Sequence, residues 1–157
     1  MMDSETPATA GALLRPDEPP ALETINLGGS GNAVLLCDHA SNRVPEDLAN
    51  LGLEAHLLAD HIAWDPGAAD VARRLAAELD LPLVLSGYSR LVIDCNRAPD
   101  HPQSIPERSA GVTIPGNLGL SSFERSTRME ALFRPYHGAI AALLRRRAHR
   151  ALSLIHI

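Results

Sequence analysis

The pattern of apolar and polar positions divides the chain into short strands and longer amphipathic helices. Ala21 to Asn26 reads as a short first strand, and Leu27 to Asn32, with three glycines, as a turn. The turn leads into a strand and not a helix, so it does not fit a phosphate loop. That strand, Ala33 to Cys37, is apolar throughout and ends abruptly in Asp38, His39, Ser41 and Asn42. Val44 to Asp47 opens a short helical turn, and Glu54 to Ile62 reads as a further helix or two turns. Asp65-Pro66-Gly67 then starts a helix: Asp65 can cap free N–H groups, and Pro66 fits the first helical position. Ala68, Val71, Ala72, Leu75, Ala76 and Leu79 recur at three and four until about Asp80, leaving Arg73, Arg74 and Glu78 outward. Small alanines on that face suit close packing on a sheet.

Leu83 to Ser86 and Leu91 to Cys95 are two further apolar runs of strand length. Strand, helix, strand is the grammar of a parallel sheet. Pro99, Pro102, Pro106 and Pro115 exclude a continuous helix between Ala98 and Gly119, and a loop this long is a functional cover or a disordered segment. Ser121 and Glu124 have capping-box spacing, and the helix they open runs to about Ala148 with a kink or break near Pro135. Its apolar face holds Met129, Leu132, Phe133, Ile140, Leu143 and Leu144, while His137 and His149 read as surface or core histidines. The expected fold is therefore α/β in three layers, a mainly parallel or mixed sheet with helices on both faces.

Composition narrows the class. The 157 residues suit one domain, and a hydrophobic content of 45% with only 3% aromatics implies a core of Leu, Ala, Val and Ile. Residues 1–20, rich in Pro, Ala, Thr and acidic groups, lack apolar periodicity and read as a flexible arm or a loosely docked extension, with the domain proper over 21–151. A net charge of −5 argues against a nucleic-acid surface, and Arg145 to Arg147 reads as a solvated helix end. Cys37 and Cys95 read as buried reduced thiols. With no leader pattern and no membrane-length apolar stretch, the cytoplasm is the expected compartment.

In α/β proteins ligands bind beyond the carboxyl ends of parallel strands, where Asp38, His39, Ser41 and Asn42 lie. A Ser-His-Asp triad is excluded here, because neighbours on an extended chain point to opposite faces. His39 suits a metal ligand, although a buried structural histidine explains it as well. His56 and His61 lack the spacing of a zinc-protease helix, and His61 is left as a pocket-lining candidate. Ser89 to Arg97 forms a second polar strand end. If that strand neighbours Val34 to Cys37, Asp94 can accept the second imidazole N–H of His39. Asn96 and Arg97 would then face a carboxylate substrate. The structural alternative is an ion-pair cluster of Arg90, Asp94 and Arg97 at a sheet edge.

Four segments in order resemble the N-formylglutamate amidohydrolase family: Cys-Asp-His-Ala-Ser-Asn at 37–42, His-Ile-Ala-Trp-Asp-Pro-Gly-Ala at 61–68, Ser-Arg-Leu-Val-Ile-Asp-Cys-Asn-Arg at 89–97 and Pro-Tyr-His at 135–137. The resemblance spans about Leu14 to Ala151 and extends to the zinc carboxypeptidases and aspartoacylases through Asp94 to Arg97. It implies a hydrolase that uses zinc or another divalent metal to release formate and glutamate from N-formylglutamate or a similar N-acyl amino acid. By that likeness His39 is a metal ligand, Asp94 its supporting carboxylate, Asn96 and Arg97 the substrate-carboxylate clamp, and Arg90 the group that polarises the scissile carbonyl. Asp38, Ser41 and His61 complete the candidate pocket. Another zinc deacylase or carboxypeptidase-like hydrolase, or a non-enzymatic carboxylate-binding module, are the alternatives.

The pattern has departures. The relatives carry a ligating Glu three residues after the first His, and here that position is Asn42, a poor neutral substitute, with Asp65 as the other candidate ligand. A later His-Ser strand end and a general-base Glu are not securely present, so the chain is expected to be truncated and inactive. Residues 152–157, Leu-Ser-Leu-Ile-His-Ile, match at all six positions an in-frame translation of a transposon end used in sequencing libraries. They are expected to be a non-native tail; on the rival reading His156 is a native ligand.

Overall fold

The computed structural model describes residues 13–148 and 153–157. Its centre is a mixed four-stranded sheet in the order β1-β3-β2-β6. Strand β1 (Leu22–Ile25) runs antiparallel to β3 (Leu83–Ser86), β2 (Ala33–Cys37) is parallel to β3, and β6 (Ser153–His156) is parallel to β2. The parallel pair β2 and β3 brackets helix α2 (Ala68–Glu78), as the strand, helix, strand reading expects.

Alternation along the strands explains the layering. Ala33, Leu35 and Cys37 of β2 and Leu83 and Leu85 of β3 share a buried cluster with Ala72 and Ala76 of α2. Val34, Leu36 and Val84 point the other way and pack against Tyr136, Ile140 and Leu143 of α4 (Arg134–Arg147). Both faces are therefore covered, and the three-layer α/β expectation is met. The buried stripe of α2 is narrower than its periodicity implies, for Val71 and Leu79 remain 51% and 53% exposed. Arg73 leaves that helix to form a double hydrogen bond with Glu23 of β1, at 2.7 and 2.6 Å.

Several local readings need correction. Asp65 does not cap α2: Gly67 occupies the N-cap position at φ 87°, with no side-chain cap, and the helix begins at Ala68. Leu91 to Cys95 is buried but is not a strand; it follows turns, with Val92 N–H bonded to Ser89 C=O at 3.0 Å. The helix expected over 54–62 is confined to α1 (Ala55–Ala59). The long loop contains a small hairpin of β4 (Arg108–Ser109) and β5 (Val112–Thr113). The capping box at Ser121 forms, opening α3 (Ser122–Arg128), and the break before Pro135 is a π-helical turn over Met129–Phe133. Pro135 offers no N–H to the ladder, so the wider turn takes up the interruption.

The N-terminal arm is docked from Leu13 on. Leu13 is buried, Arg15 pairs with Glu46 and Asp47, and Tyr88 donates to the Pro19 carbonyl at 2.7 Å. Arg147, expected in solvent, is buried and its guanidinium binds the Gly29 and Gly31 carbonyls. Residues 1–12 and His149 lie outside the described residues. Among the described residues no helix is long and apolar enough to cross a membrane.

A tight contact joins two turns. Glu46–Gly52 starts as a right-handed helical turn and reverses hand, with Ala49, Asn50 and Leu51 at φ 44°, 54° and 56° and Gly52 at 71°. This reversed turn lies against the short 3-10 turn Pro115–Asn117, so closely that a Cβ on Gly116 would stand 2.8 Å from Leu51 Cα. Gly116→Ala is expected to cost about 1–3 kcal/mol, as overpacking against rigid backbone does, measured as a lowered denaturant midpoint.

Asp80 fastens the glycine turn at 28–31. Hydrogen bonds from the Ser30 hydroxyl, the Asn26 amide and the Ser30 backbone hold its carboxyl at about 2, below the ordinary 3.8. Since the folded value is the lower one, this contribution is complete above about 3.8 and disappears as pH falls toward about 2. Asp80→Asn should flatten the acid limb of a stability–pH profile in that window.

Candidate active site

Strand β2 delivers His39 to the carboxyl edge of the sheet, two residues past its last paired position. His39 is 7% exposed, and its imidazole lies between two carboxylates. Its Nε2 is 2.8 Å from Asp94 Oδ1, and its Nδ1 is 3.2 Å from Asp65 Oδ2. Asp65 is held there because its backbone N–H donates to the His39 carbonyl at 3.0 Å. Arg90 closes the cluster, 3.4 Å from Asp65 Oδ1 and 3.4 Å from Asp94 Oδ2. It is placed by its own N–H on Ala63 C=O, at 3.2 Å, and by the Ser89 hydroxyl on the same carbonyl at 2.7 Å.

Opposing forces set the proton affinities. Burial pulls the His39 pKa down, but the Asp94 hydrogen bond and charge, aided by Asp65, outweigh it and leave the imidazole more basic than usual. Burial likewise pushes Asp94 up, yet its bond to His39, that charge, the Asn96 N–H and Arg90 hold the carboxyl below its ordinary value. Asp94 is only 3% exposed, so its partners replace lost hydration.

Asn96 and Arg97 follow directly. The Asn96 N–H donates to Asp94 Oδ1 at 2.9 Å, and Arg97 Nε stands 3.9 Å from Asp94 Oδ2. Their side chains border a 420 Å³ cavity with Phe133, His137, Ile140 and His156. The expected second strand end does not exist: a turn closes over this segment, with the Arg97 N–H on the Asp94 carbonyl at 3.2 Å. The turn nevertheless places Asp94 against His39 and the Arg97 guanidinium at the cavity.

Other candidates do not join this cluster. Asn42 donates to the Leu58 carbonyl at 2.9 Å, a loop-fastening role. Ser41 accepts from the Arg43 N–H at 3.1 Å. His61 is exposed and paired with Asp60 at 2.6 Å, away from His39. Asp38 is buried on the side opposite to His39, where Tyr136 donates to Oδ1 at 2.5 Å and His156 Nε2 lies 2.5 Å from Oδ2. Asp38, His39 and Ser41 thus have separate partners, and no triad forms among them. Burial raises the two thiols, Cys37 to about 11 and Cys95 to about 12, so neither is a nucleophile at neutral pH.

The sequence reading missed His137 as a site residue. Its Nε2 is 2.9 Å from the Cys95 carbonyl, and its ring packs 4.2 Å from that of Phe133. His137 lies one turn beyond the π turn that ends at Phe133; Pro-Tyr-His, one of the four matching segments, was the available signal.

The donor set bears on a metal. Nδ1 of His39 and the Asp65 carboxylate form an adjacent N,O pair, whereas the described residues contain no group of three His, Cys, Asp or Glu able to hold an ion. A catalytic zinc takes three protein ligands, so this cluster fits two-thirds of such a site.

No curated protein matches the chain. The solved structure of gene product Atu2144 from Agrobacterium tumefaciens aligns with a TM-score of 0.90 at 38% identity, covering 92% of this chain and 58% of that one. The chain therefore spans 58% of the length of this solved relative. A model of the N-formylglutamate amidohydrolase family matches residues 31–157. With that match over most of its length, the chain belongs to the N-formylglutamate amidohydrolase family.

Proposed function

We propose that the protein this chain represents hydrolyses the amide bond of N-formylglutamate or a similar N-acyl amino acid, releasing formate and glutamate. The observation that carries the reading is His39, fixed through Nε2 by Asp94 with Nδ1 beside Asp65, while Arg97 stands 3.9 Å from the same Asp94 carboxylate. In its neutral form His39 keeps its proton on Nε2, facing Asp94, and offers the Nδ1 lone pair on the Asp65 side. A divalent metal such as zinc, when bound by His39 and Asp65 with a third donor, supplies a Lewis acid and an acidified water. Arg90 stands between the two carboxylates, where its guanidinium would stabilise negative charge developing on the scissile carbonyl oxygen. Arg97, with Asn96, would hold the substrate carboxylate in a bidentate fork.

The two donors found among the described residues do not make a catalytic zinc site, so this 157-residue chain should release little or no formate from N-formylglutamate with zinc present. A clone extended to the length of its solved relative should release it readily. An ordinary enzymatic rate from the short chain would overturn the proposed ligand deficit, and none from the long clone would overturn the reaction. In the long clone Arg97→Lys should raise KM about tenfold with kcat little changed, since one arm of a charge-assisted fork is lost. An unchanged KM would remove the clamp assignment.

Asn96 and Arg97, which border a cavity that His39 does not line, favour one second reading, a carboxylate-binding module that performs no chemistry. Glutamate binding by the long clone without metal uptake or formate release would select it. We further propose that residues 152–157 are encoded by a sequencing adapter, despite the pairing of β6 with β2. A genomic continuation through the same codons would refute this.

A further inference from the structure

We infer that Asn117 and Arg128 are positioning residues of the His39 site: they hold the strandless segment from Leu91 to Asp94 so that Asp94 meets the imidazole and Arg90 meets the Asp94 carboxylate. The inference rests on the His39 cluster being the reaction centre.

Leu91 to Asp94 carries Asp94 and adjoins Arg90, yet it has no sheet ladder to fix it. A buried segment without a ladder must satisfy its carbonyls another way. Asn117 Nδ2 donates to the Leu91 carbonyl at 2.8 Å, and Arg128 donates to the Val92 carbonyl at 3.1 Å. The two side chains also bind each other, Arg128 to Asn117 Oδ1 at 2.7 Å. Asn117 uses its remaining proton on the Pro106 carbonyl at 2.7 Å, while Arg128 reaches Gly116 C=O at 2.9 Å. One planar amide and one planar guanidinium thus join the site segment, the long loop and helix α3.

The burial of Arg128 sharpens the argument. It is 2% exposed, and desolvation lowers its pKa to about 10. An apolar residue of similar volume would fill this space without dehydrating a cation, and such replacements are often neutral or stabilising. What an apolar residue cannot do is hold two carbonyls and an amide oxygen at set angles. Those angles determine where the chain lies two residues before Asp94.

The test reads the His39–Asp94 hydrogen bond directly, without substrate. In the proton spectrum of the native chain, the His39 Nε2–H held by a buried carboxylate should give a far-downfield, slowly exchanging signal, assigned by its loss in His39→Gln. Asn117→Asp keeps a partner for Arg128 but removes both donors to Leu91 and Pro106. Arg128→Met removes every polar contact of the guanidinium, and Arg128→Lys retains a single one. At temperatures where circular dichroism shows the native fold, exchange of the signal should accelerate at least about tenfold in Asn117→Asp and Arg128→Met, and less in Arg128→Lys. A purely structural role would lower the melting temperature and leave the signal of the folded molecules unchanged, and that result overturns the inference. Should Arg128→Met not fold, Asn117→Asp and Arg128→Lys decide by the same criterion. Absence of amidohydrolase activity in the long clone, with the signal behaving as described, would refute the proposed reaction and not this positioning role.

Discussion

Asp94→Asn is expected to lower kcat/KM of a clone extended to the length of the solved relative by about 10–100-fold, the usual effect of removing the carboxylate behind a metal-binding histidine. The charge disappears while the size stays the same. An amide at this position has two orientations. With its oxygen toward His39 it accepts the Nε2 proton but no longer favours positive charge on the ring. With its NH2 group toward His39 it forces the proton onto Nδ1 and withdraws the lone pair from the Asp65 side. Arg90 loses one of its two carboxylates in either case, and the raised basicity of His39 loses its chief support. Steady-state kinetics together with metal content per chain checks the expectation; full activity with full metal loading would contradict it.

Leu35→Ala should destabilise the chain by about 2–5 kcal/mol, a large part of the roughly 5–15 kcal/mol typical of a folded domain. Leu35 is completely buried in the middle of β2, in the cluster that includes Leu83, Ala72 and Ala76. Its neighbours across the layer are methyl groups on a helix backbone, which cannot lengthen to fill the space. Urea unfolding followed by circular dichroism should show a much lower midpoint at an unchanged slope. A shift equivalent to less than about 1 kcal/mol would mean that the layers are not close-packed.

The legible parts of this molecule were those governed by short-range rules. Alternation in β2 and β3, the alanine stripe of α2 and the Ser121–Glu124 box each follow from local spacing, and each forms. The pairing of His39 with Asp94 was also readable, because two polar segments ended apolar runs of similar length. The reason supplied for it, a second strand at Leu91 to Cys95, was wrong. Apolar content alone does not distinguish a strand from a buried turn, and here the Asn117 and Arg128 side chains replace the ladder. Asp65 carried two readings, because its capping residue type is equally a carboxylate ligand type; Gly67 at the N-cap and the backbone bond to His39 remove the first. His137 escaped because its partner is the Cys95 carbonyl, on a segment whose turn path apolar content does not reveal.

The reversed turn at Ala49 to Gly52 carries an implication for how this sequence can drift. Ordinary residues pay about 1–2 kcal/mol each to sit in a left-handed helix, and three in succession do so here. Ala49 and Asn50 are exposed at the surface, whereas Leu51 is buried, with Gly116 against its backbone. Glycine is therefore admissible at the outer two sites and relieves strain there, while the third is tied to its side chain. Among homologous sequences that keep this turn, the outer pair is free to vary toward glycine, whereas position 116 stays glycine whatever side chain stands at 51, because the contact is with the backbone there.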